Sequence, residues 1–277
     1  MNENRSTVKF SKADGSCCQW HGDHGPVLVL VHGLGLNKDM WQWQIPVLSK
    51  NYRVLSYDLY GHGQSPRAKQ QHSLKVFAQQ IISMLDEFQV EHCGVAGFSL
   101  GGMIARRFAM DYPKRLCALA ILNSPHARTQ EQQQAIMQRV QQVAEQGPSV
   151  TVDAAIKRWF TDDYHNSNPG VINMVRQWVL ANDPDTYPEN YRVLATGVDE
   201  LVAPNPPIDC PTLVVAAQDD FGQPAEMAEA IAAEIPNVQT HIFPGLRHMA
   251  LVESPDQYNQ LLQSFFGKVF FEMADID

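Results

Sequence analysis

The sequence predicts an α/β protein with a mostly parallel central sheet flanked by helices and one inserted helical cap. Three observations carry that expectation. Short, continuously apolar runs alternate with stretches of helical spacing; the rhythm breaks once, between Pro125 and about Pro207; and a Gly-x-Ser-x-Gly pentapeptide stands where an apolar run passes into a helix. With 277 residues, 44% of them hydrophobic, the chain is long enough for one large core, or a core with a smaller appended layer.

Taken in order, Val8 to Phe10 and Ser16 to Trp20 read as antiparallel edge strands. Val27 to Val31, Arg53 to Tyr57, Cys93 to Ala96, Leu119 to Leu122 and Leu213 to Ala217 are largely apolar, as strands covered on both faces must be. Helical stretches at Leu74 to Phe88 and Leu100 to Met110 lie between them, and strand-helix-strand order makes neighbouring strands parallel. A last strand at Gln239 to Phe243 and a final helix at Pro255 to Phe266 complete the core. Within the insertion, Gln130 to Gln146 is Gln-rich, yet Ile136, Met137, Val140 and Val143 recur at helical spacing, so a packed helix is expected there. Pro204, Pro206 and Pro207 mark the return to the core. The expected division is a core domain over 1–124 and 208–277 with a helical cap over 125–207.

A formal net charge of -9 and the lack of a basic stripe argue against a nucleic-acid partner. Met1 to Lys12 lacks the apolar segment of a secretory leader, and Val27 to Val31 is far shorter than the roughly 20 residues a bilayer span needs. No membrane association is expected. The five cysteines, Cys17, Cys18, Cys93, Cys117 and Cys210, form no Cys-x-x-Cys pair and read as small hydrophobes in a reducing, cytoplasmic compartment. His21 and His24, with Asp23 between them, share a Gly-rich turn without a further partner nearby in sequence, so a surface turn is favoured over a metal site. Neither metal nor organic cofactor is implied, and monomer and homodimer are both open.

The chemistry centres on Gly97-Phe98-Ser99-Leu100-Gly101. A serine hydroxyl is a weak nucleophile at neutral pH and needs a base to take its proton and an acid to orient that base. On a strand-to-helix turn of this kind the partners follow downstream, acid before histidine. Of the later histidines, His126 and His165 fall at or inside the cap and His241 within a strand. His248 stands in a loop after the last strand, where it reaches the carboxyl ends of the sheet. Asp219 and Asp220 leave the end of Leu213 to Ala217, and adjacent residues on extended chain point to opposite sides, so only one of them faces His248. The end of Leu119 to Leu122 holds Asn123 and Ser124 and no carboxylate. A Gly-rich turn, His32-Gly33-Leu34-Gly35, would present the Leu34 N–H opposite that of Leu100 as donors to a developing oxyanion.

These motifs, together with Tyr57-Asp58-Leu59-Tyr60-Gly61-His62-Gly63-Gln64-Ser65 and Gly245-Leu246-Arg247-His248-Met249, make the chain similar to the α/β-hydrolase superfamily over nearly its whole length. The resemblance implies the α/β-hydrolase fold and a catalytic acid four residues before a proline. That register selects Asp220, ahead of Pro224, and gives the triad Ser99, Asp220 and His248. Asp58 and His62 belong to a stretch that holds a loop by local hydrogen bonds. Lys157-Arg158-Trp159-Phe160-Thr161 and Tyr187 to Leu201 resemble the 3-oxoadipate enol-lactonase branch, which includes carboxylesterases. That implies hydrolysis of a small ester or lactone through an acyl-enzyme on Ser99. A carbon-carbon bond hydrolase of the meta-cleavage type and a non-turnover receptor on the same fold are the alternatives; the serine disfavours dehalogenases and epoxide hydrolases, which use a carboxylate nucleophile. Of the bulky Trp41, Trp43, Trp159 and Trp178, Trp159 is the one expected to line a pocket. An enol-lactone carries a carboxylate, for which Arg128, Lys157, Arg158 and Arg176 are the available cations. A neutral ester suits the negative net charge equally well.

Overall fold

The structure, a computed structural model, describes residues 7–274. Residues 1–6 and 275–277, and with them the start of the leader reading and the outer ends of the core-domain spans, lie outside the described residues. Eight strands form one sheet: β1 (Val8–Phe10), β2 (Cys17–His21), β3 (Val27–Val31), β4 (Arg53–Tyr57), β5 (Cys93–Phe98), β6 (Leu116–Leu122), β7 (Thr212–Ala217) and β8 (Val238–Phe243), in the order β1-β2-β4-β3-β5-β6-β7-β8. As the edge-strand reading predicts, β1 pairs antiparallel with β2 and β2 antiparallel with β4; the remaining pairs, from β4–β3 to β7–β8, are parallel. Every residue of β3, β5 and β7 is buried, which is why these segments show no alternation of apolar and polar residues.

Helices α1 (Ile45–Leu48), α2 (Leu74–Glu87) and α3 (Leu100–Asp111) precede or interleave with the first strands. Helices α4 (Gln130–Gln146), α5 (Ser149–Trp159), α6 (Asp162–Ser167), α7 (Pro169–Leu180) and α8 (Tyr187–Thr196) lie between β6 and β7. Then come α9 (Ala225–Ala233), α10 (Ala250–Glu253) and α11 (Pro255–Ala274). Several starts have a local cause. Ser73 accepts a hydrogen bond from the Val76 N–H ahead of α2, and Thr129 with Gln132 forms a reciprocal capping box ahead of α4. Along α4, Ile136, Val140 and Val143 are buried while most glutamines stay outside, and Gly147 at φ 78° ends the helix. The last helix continues beyond Phe266 because Phe265, Phe266 and Val269 keep finding core neighbours.

The parallel strands bring their carboxyl ends to one edge of the sheet, where β5 turns into α3. That turn is unusually tight. A Cβ on Gly97 would come within 2.1 Å of the Gly101 carbonyl oxygen, and one on Gly101 within 2.2 Å of the Val31 carbonyl oxygen. Strand β3, strand β5 and the first turn of α3 therefore touch backbone to backbone, a contact that even one methyl group would push apart. The five cysteines are unpaired; Cys17, Cys18 and Cys93 are buried and Cys117 and Cys210 half-buried. Among the described residues no helix is long and apolar enough to cross a membrane.

Gly101→Ala is expected to destabilise the protein by about 2 kcal/mol or more through overpacking. Urea denaturation measures this, and a midpoint equal to that of the parent would contradict the close contact.

Candidate active site

Ser99 closes β5 and precedes α3 with φ 55° and ψ -114°, a conformation that a residue with a side chain adopts only under constraint and that costs on the order of 1–3 kcal/mol. The constraint is visible on both flanks. Its N–H donates to the Leu122 carbonyl at 2.8 Å, tying it to the end of β6, and its carbonyl accepts from the Ser124 hydroxyl at 3.0 Å and from the Gly102 N–H at 3.0 Å. The turn thereby lifts the Ser99 side chain out of the sheet edge and into a small cavity of about 90 Å³.

Asp220 and His248 line that same cavity. Asp220 Oδ2 lies 2.7 Å from His248 Nδ1, both side chains being buried. The other carboxylate oxygen, Oδ1, accepts from the backbone N–H groups of Gly222 and Gln223 at 2.9 and 3.1 Å. Burial works to raise the Asp220 carboxyl, but the neighbouring imidazole and these two amides outweigh it and hold the group below its ordinary value, so it stays ionised at neutral pH. Asp219 is exposed, its N–H bonded to the Leu246 carbonyl. The alternation of side chains thus resolves with Asp220 toward the imidazole. Nδ1 bound to a carboxylate leaves His248 Nε2 as the nitrogen available to a substrate proton. Among the described residues no hydrogen bond joins Ser99 Oγ to His248, although both line the same cavity.

Two neighbours complete this arm, and neither was anticipated from sequence. Asn123, at φ 47° just past β6, donates from Nδ2 to Asp220 Oδ2 at 3.2 Å, and the Tyr258 hydroxyl donates to Asn123 Oδ1 at 3.1 Å. The strand end that lacks a carboxylate therefore supplies the amide that orients one. Phe98, the variable residue of the pentapeptide, packs its ring 4.8 Å from that of His248, with Trp159 at 6.0 Å on the inserted segment.

The Gly33-Leu34-Gly35 turn follows β3. A Cβ on Gly33 would lie 3.0 Å from the Phe98 ring and 3.2 Å from the Ser99 Cβ, so a side chain there would press both by a few tenths of an ångström. Its peptide groups are fixed by two buried histidines. His32 accepts the Leu59 N–H at Nε2 (2.9 Å) and so donates from Nδ1 to the Gly33 carbonyl (2.8 Å). His62 accepts the Gly35 N–H at Nε2 (3.1 Å), while Asn182 at the end of α7 donates to the Gly35 carbonyl (2.9 Å). Both rings must be neutral to accept at Nε2; burial lowers His32 to about 4 and, helped by His32 itself, lowers His62 to about 3. With the flanking groups engaged, the Leu34 N–H has no partner among the described residues, and the same holds for the Leu100 N–H at the start of α3. Asp58 accepts the N–H groups of Lys38 and Gln64, the local loop bonding its position predicts.

The remaining lining comes from helices α4, α5, α7 and α8 and includes Ile136, Trp159, Val179, Tyr187, Tyr191 and Leu194. Of the four cations proposed for a carboxylate, only Arg158 lines the cavity. Arg128 donates to the Leu194 and Ala195 carbonyls, Arg176 pairs with Asp153 at the surface, and Lys157 is exposed. Arg139 lines the cavity as well. Its position three residues after Ile136 and four before Val143 was the available sign, since that spacing puts it near the buried face of α4. His126 binds Glu234, exposed His165 sits on α6, and His241 packs on Phe243, all away from the cavity lining. His21 pairs with Ser56 and His24 with Asp23.

Comparison with known proteins agrees with the fold described above. A family model described as the alpha/beta hydrolase fold matches residues 26–255. The (E)-2-((N-methylformamido)methylene)succinate hydrolase of Acinetobacter baylyi is 29% identical over 266 residues, 96% of this chain and 95% of that protein. The 3-oxoadipate enol-lactonase 2 of the same species is 26% identical, over 86% of this chain and 88% of that protein. Among solved structures, the enol-lactonase of Burkholderia xenovorans superimposes with a TM-score of 0.85 at 24% identity, over 94% of this chain and all of that one.

The buried neutral histidines set a pH dependence. Their unfolded value is near 6.5 and their folded values are depressed, so the stability they contribute is complete above pH 6.5 and is lost as pH falls toward 4 for His32 and 3 for His62. Each should add about 1.4 kcal/mol per pH unit to the acid-side slope of unfolding free energy. Urea midpoints between pH 7 and 4.5 are expected to show this, and His32→Gln to lower the slope by about one proton. An unaltered slope would refute the neutral-ring assignment.

Proposed function

The chain belongs to the α/β-hydrolase family, and on that premise we propose that it is a serine hydrolase that cleaves a small carboxylic ester or lactone through an acyl-enzyme on Ser99. The observation that carries the reading is the convergence of Ser99, Asp220 and His248 on one cavity, with Asp220 bonded to His248 Nδ1 at 2.7 Å. In this reading the helical segment over 125–207 is a cap whose residues, Trp159 included, shape the substrate pocket.

The roles follow from the chemistry of each group. Ser99 Oγ attacks the carbonyl carbon as its proton passes to His248 Nε2; the C–O(acyl) π pair moves onto oxygen, and the resulting oxyanion takes hydrogen bonds from the Leu34 and Leu100 N–H groups, each worth about 3 kcal/mol in such sites. Asp220 stabilises the imidazolium without itself taking the proton. The intermediate collapses with cleavage of the ester C–O bond, and His248 returns its proton to the departing alkoxide, which in a lactone remains attached to the acyl chain. Water then attacks the acyl-enzyme as its proton passes to His248, the bond from the acyl carbon to Ser99 Oγ breaks, His248 returns the proton to Oγ, and the free acid leaves. The strained backbone at Ser99 and the held turn at Leu34 fit a site whose donors are aimed before substrate arrives. Support for the ester or lactone class comes from the enol-lactonases among its relatives, which are 26% identical over most of both chains.

Ser99→Ala is expected to abolish hydrolysis of p-nitrophenyl acetate and a lactone panel by several orders of magnitude, with circular dichroism unchanged. Asp220→Asn should reduce kcat by at least about a thousandfold and Asp219→Asn by less than about threefold. Activity surviving Ser99→Ala, or turnover confined to a ring-cleavage diketone, would overturn the proposal.

A further inference from the structure

Most arginines of the described chain have partners for their guanidinium groups: Arg106 and Arg128 donate to backbone carbonyls, Arg107 to carboxylates, and Arg115 and Arg247 to both. Arg139 on α4 and Arg158 on α5 are different. Both line the cavity that holds Ser99, and among the described residues neither makes a hydrogen bond or an ion pair. Arg139 Nε is buried without any partner. Asp220 is the only carboxylate in the lining, and His248, Asn123 and two backbone amides already occupy it. The unmatched charge of the cavity is therefore positive, in a chain whose net charge is -9. Burial, and then the nearby Arg139 charge, lower the Arg158 guanidinium from its ordinary value, so the two cations sense each other in a partly dehydrated space.

A protein gains nothing in stability from two neighbouring, half-buried cations with no counterion. Desolvation and repulsion both act against the arrangement. A planar guanidinium is, however, the group best suited to hold a carboxylate through paired hydrogen bonds. We propose that Arg139 and Arg158 form an anion subsite that selects substrates bearing a free carboxylate away from the scissile carbonyl. This rests on the serine-hydrolase reading of the same cavity and narrows it: the acyl chain runs from Ser99 toward α4 and α5, where its far end meets the two guanidinium groups. Ile136, Tyr191 and Leu194 supply the apolar wall along which its methylenes lie.

The test uses the full chain and half-esters of succinate, glutarate and adipate as probes, each compared with its neutral diethyl ester. With Ser99 intact, kcat/KM for the best half-ester is expected to exceed that for its diester by about tenfold or more, the scale of a charge-assisted contact. Arg139→Gln and Arg158→Gln should each lower kcat/KM for the half-ester by about tenfold and change the diester by less than about threefold, with Arg158→Lys partly restoring the half-ester. Because each substitution removes an unpaired charge, melting temperatures should hold or rise; a fall would mark a structural role instead. Preference for the diester, or equal losses on both substrates, overturns the subsite. Binding of the half-ester to Ser99→Ala, measured by calorimetry, separates this proposal from the one beneath it. If no ester is turned over but the half-ester binds and the arginine variants abolish that binding, the subsite stands and the hydrolase reading falls. If it fails to bind, the subsite falls.

Discussion

The backbone of Ser99 can hold φ 55° only because three chain segments pack against one another without side chains between them. Gly97 and Gly101 let the end of β5 and the start of α3 close on each other and on β3, and the Leu122 and Ser124 bonds clamp the turn from the β6 side. Everything else at the site is measured from this point. The Leu34 turn approaches because Gly33 can lie against the serine, and His248 reaches the same cavity because β7 and β8 deliver their loops to the same edge of the sheet. The large buried core, with strands apolar on both faces, is what holds a conformation that local sequence preference would not choose.

The site is also held by groups that do no chemistry on a substrate. His32 and His62 secure the two sides of the Leu34 peptide, and Asn123 and Tyr258 extend the Asp220 arm into the core. Each of these is a buried polar side chain whose hydrogen bond is made to the site rather than to a regular element. Buried polar groups left unpaired are costly, so these bonds also restrict the number of arrangements the site can adopt. A rigid scaffold and a set of preset donors are two aspects of the same packing.

The strands were legible because burial on both faces leaves a continuous apolar run, and the insertion because Ile136, Val140 and Val143 keep helical spacing through a glutamine-rich stretch. Ser99 was legible from local pattern alone, since its turn demands glycines at fixed offsets. Asp220 was only half legible: the strand end offered two aspartates, and the choice between them came from likeness to a family, with the structure turning Asp220 to His248 and Asp219 to solvent. Asn123, Phe98 and Arg139 were missed for a common reason. What matters about each is the neighbour it meets across the fold: an asparagine past a strand or a phenylalanine between a glycine and a serine has no local pattern that records such a meeting, and the helical spacing of Arg139 turns it near the buried face without saying what it faces.

The paired guanidinium groups have a consequence for the resting protein. Two like charges facing one cavity make the empty state the less comfortable of the two available to the folded chain, and any small anion that enters relieves it. Occupancy then shifts the folding equilibrium by mass action, so the lifetime of the chain against proteolysis would track the supply of anion around it. Such a protein is longest-lived when it has something to work on.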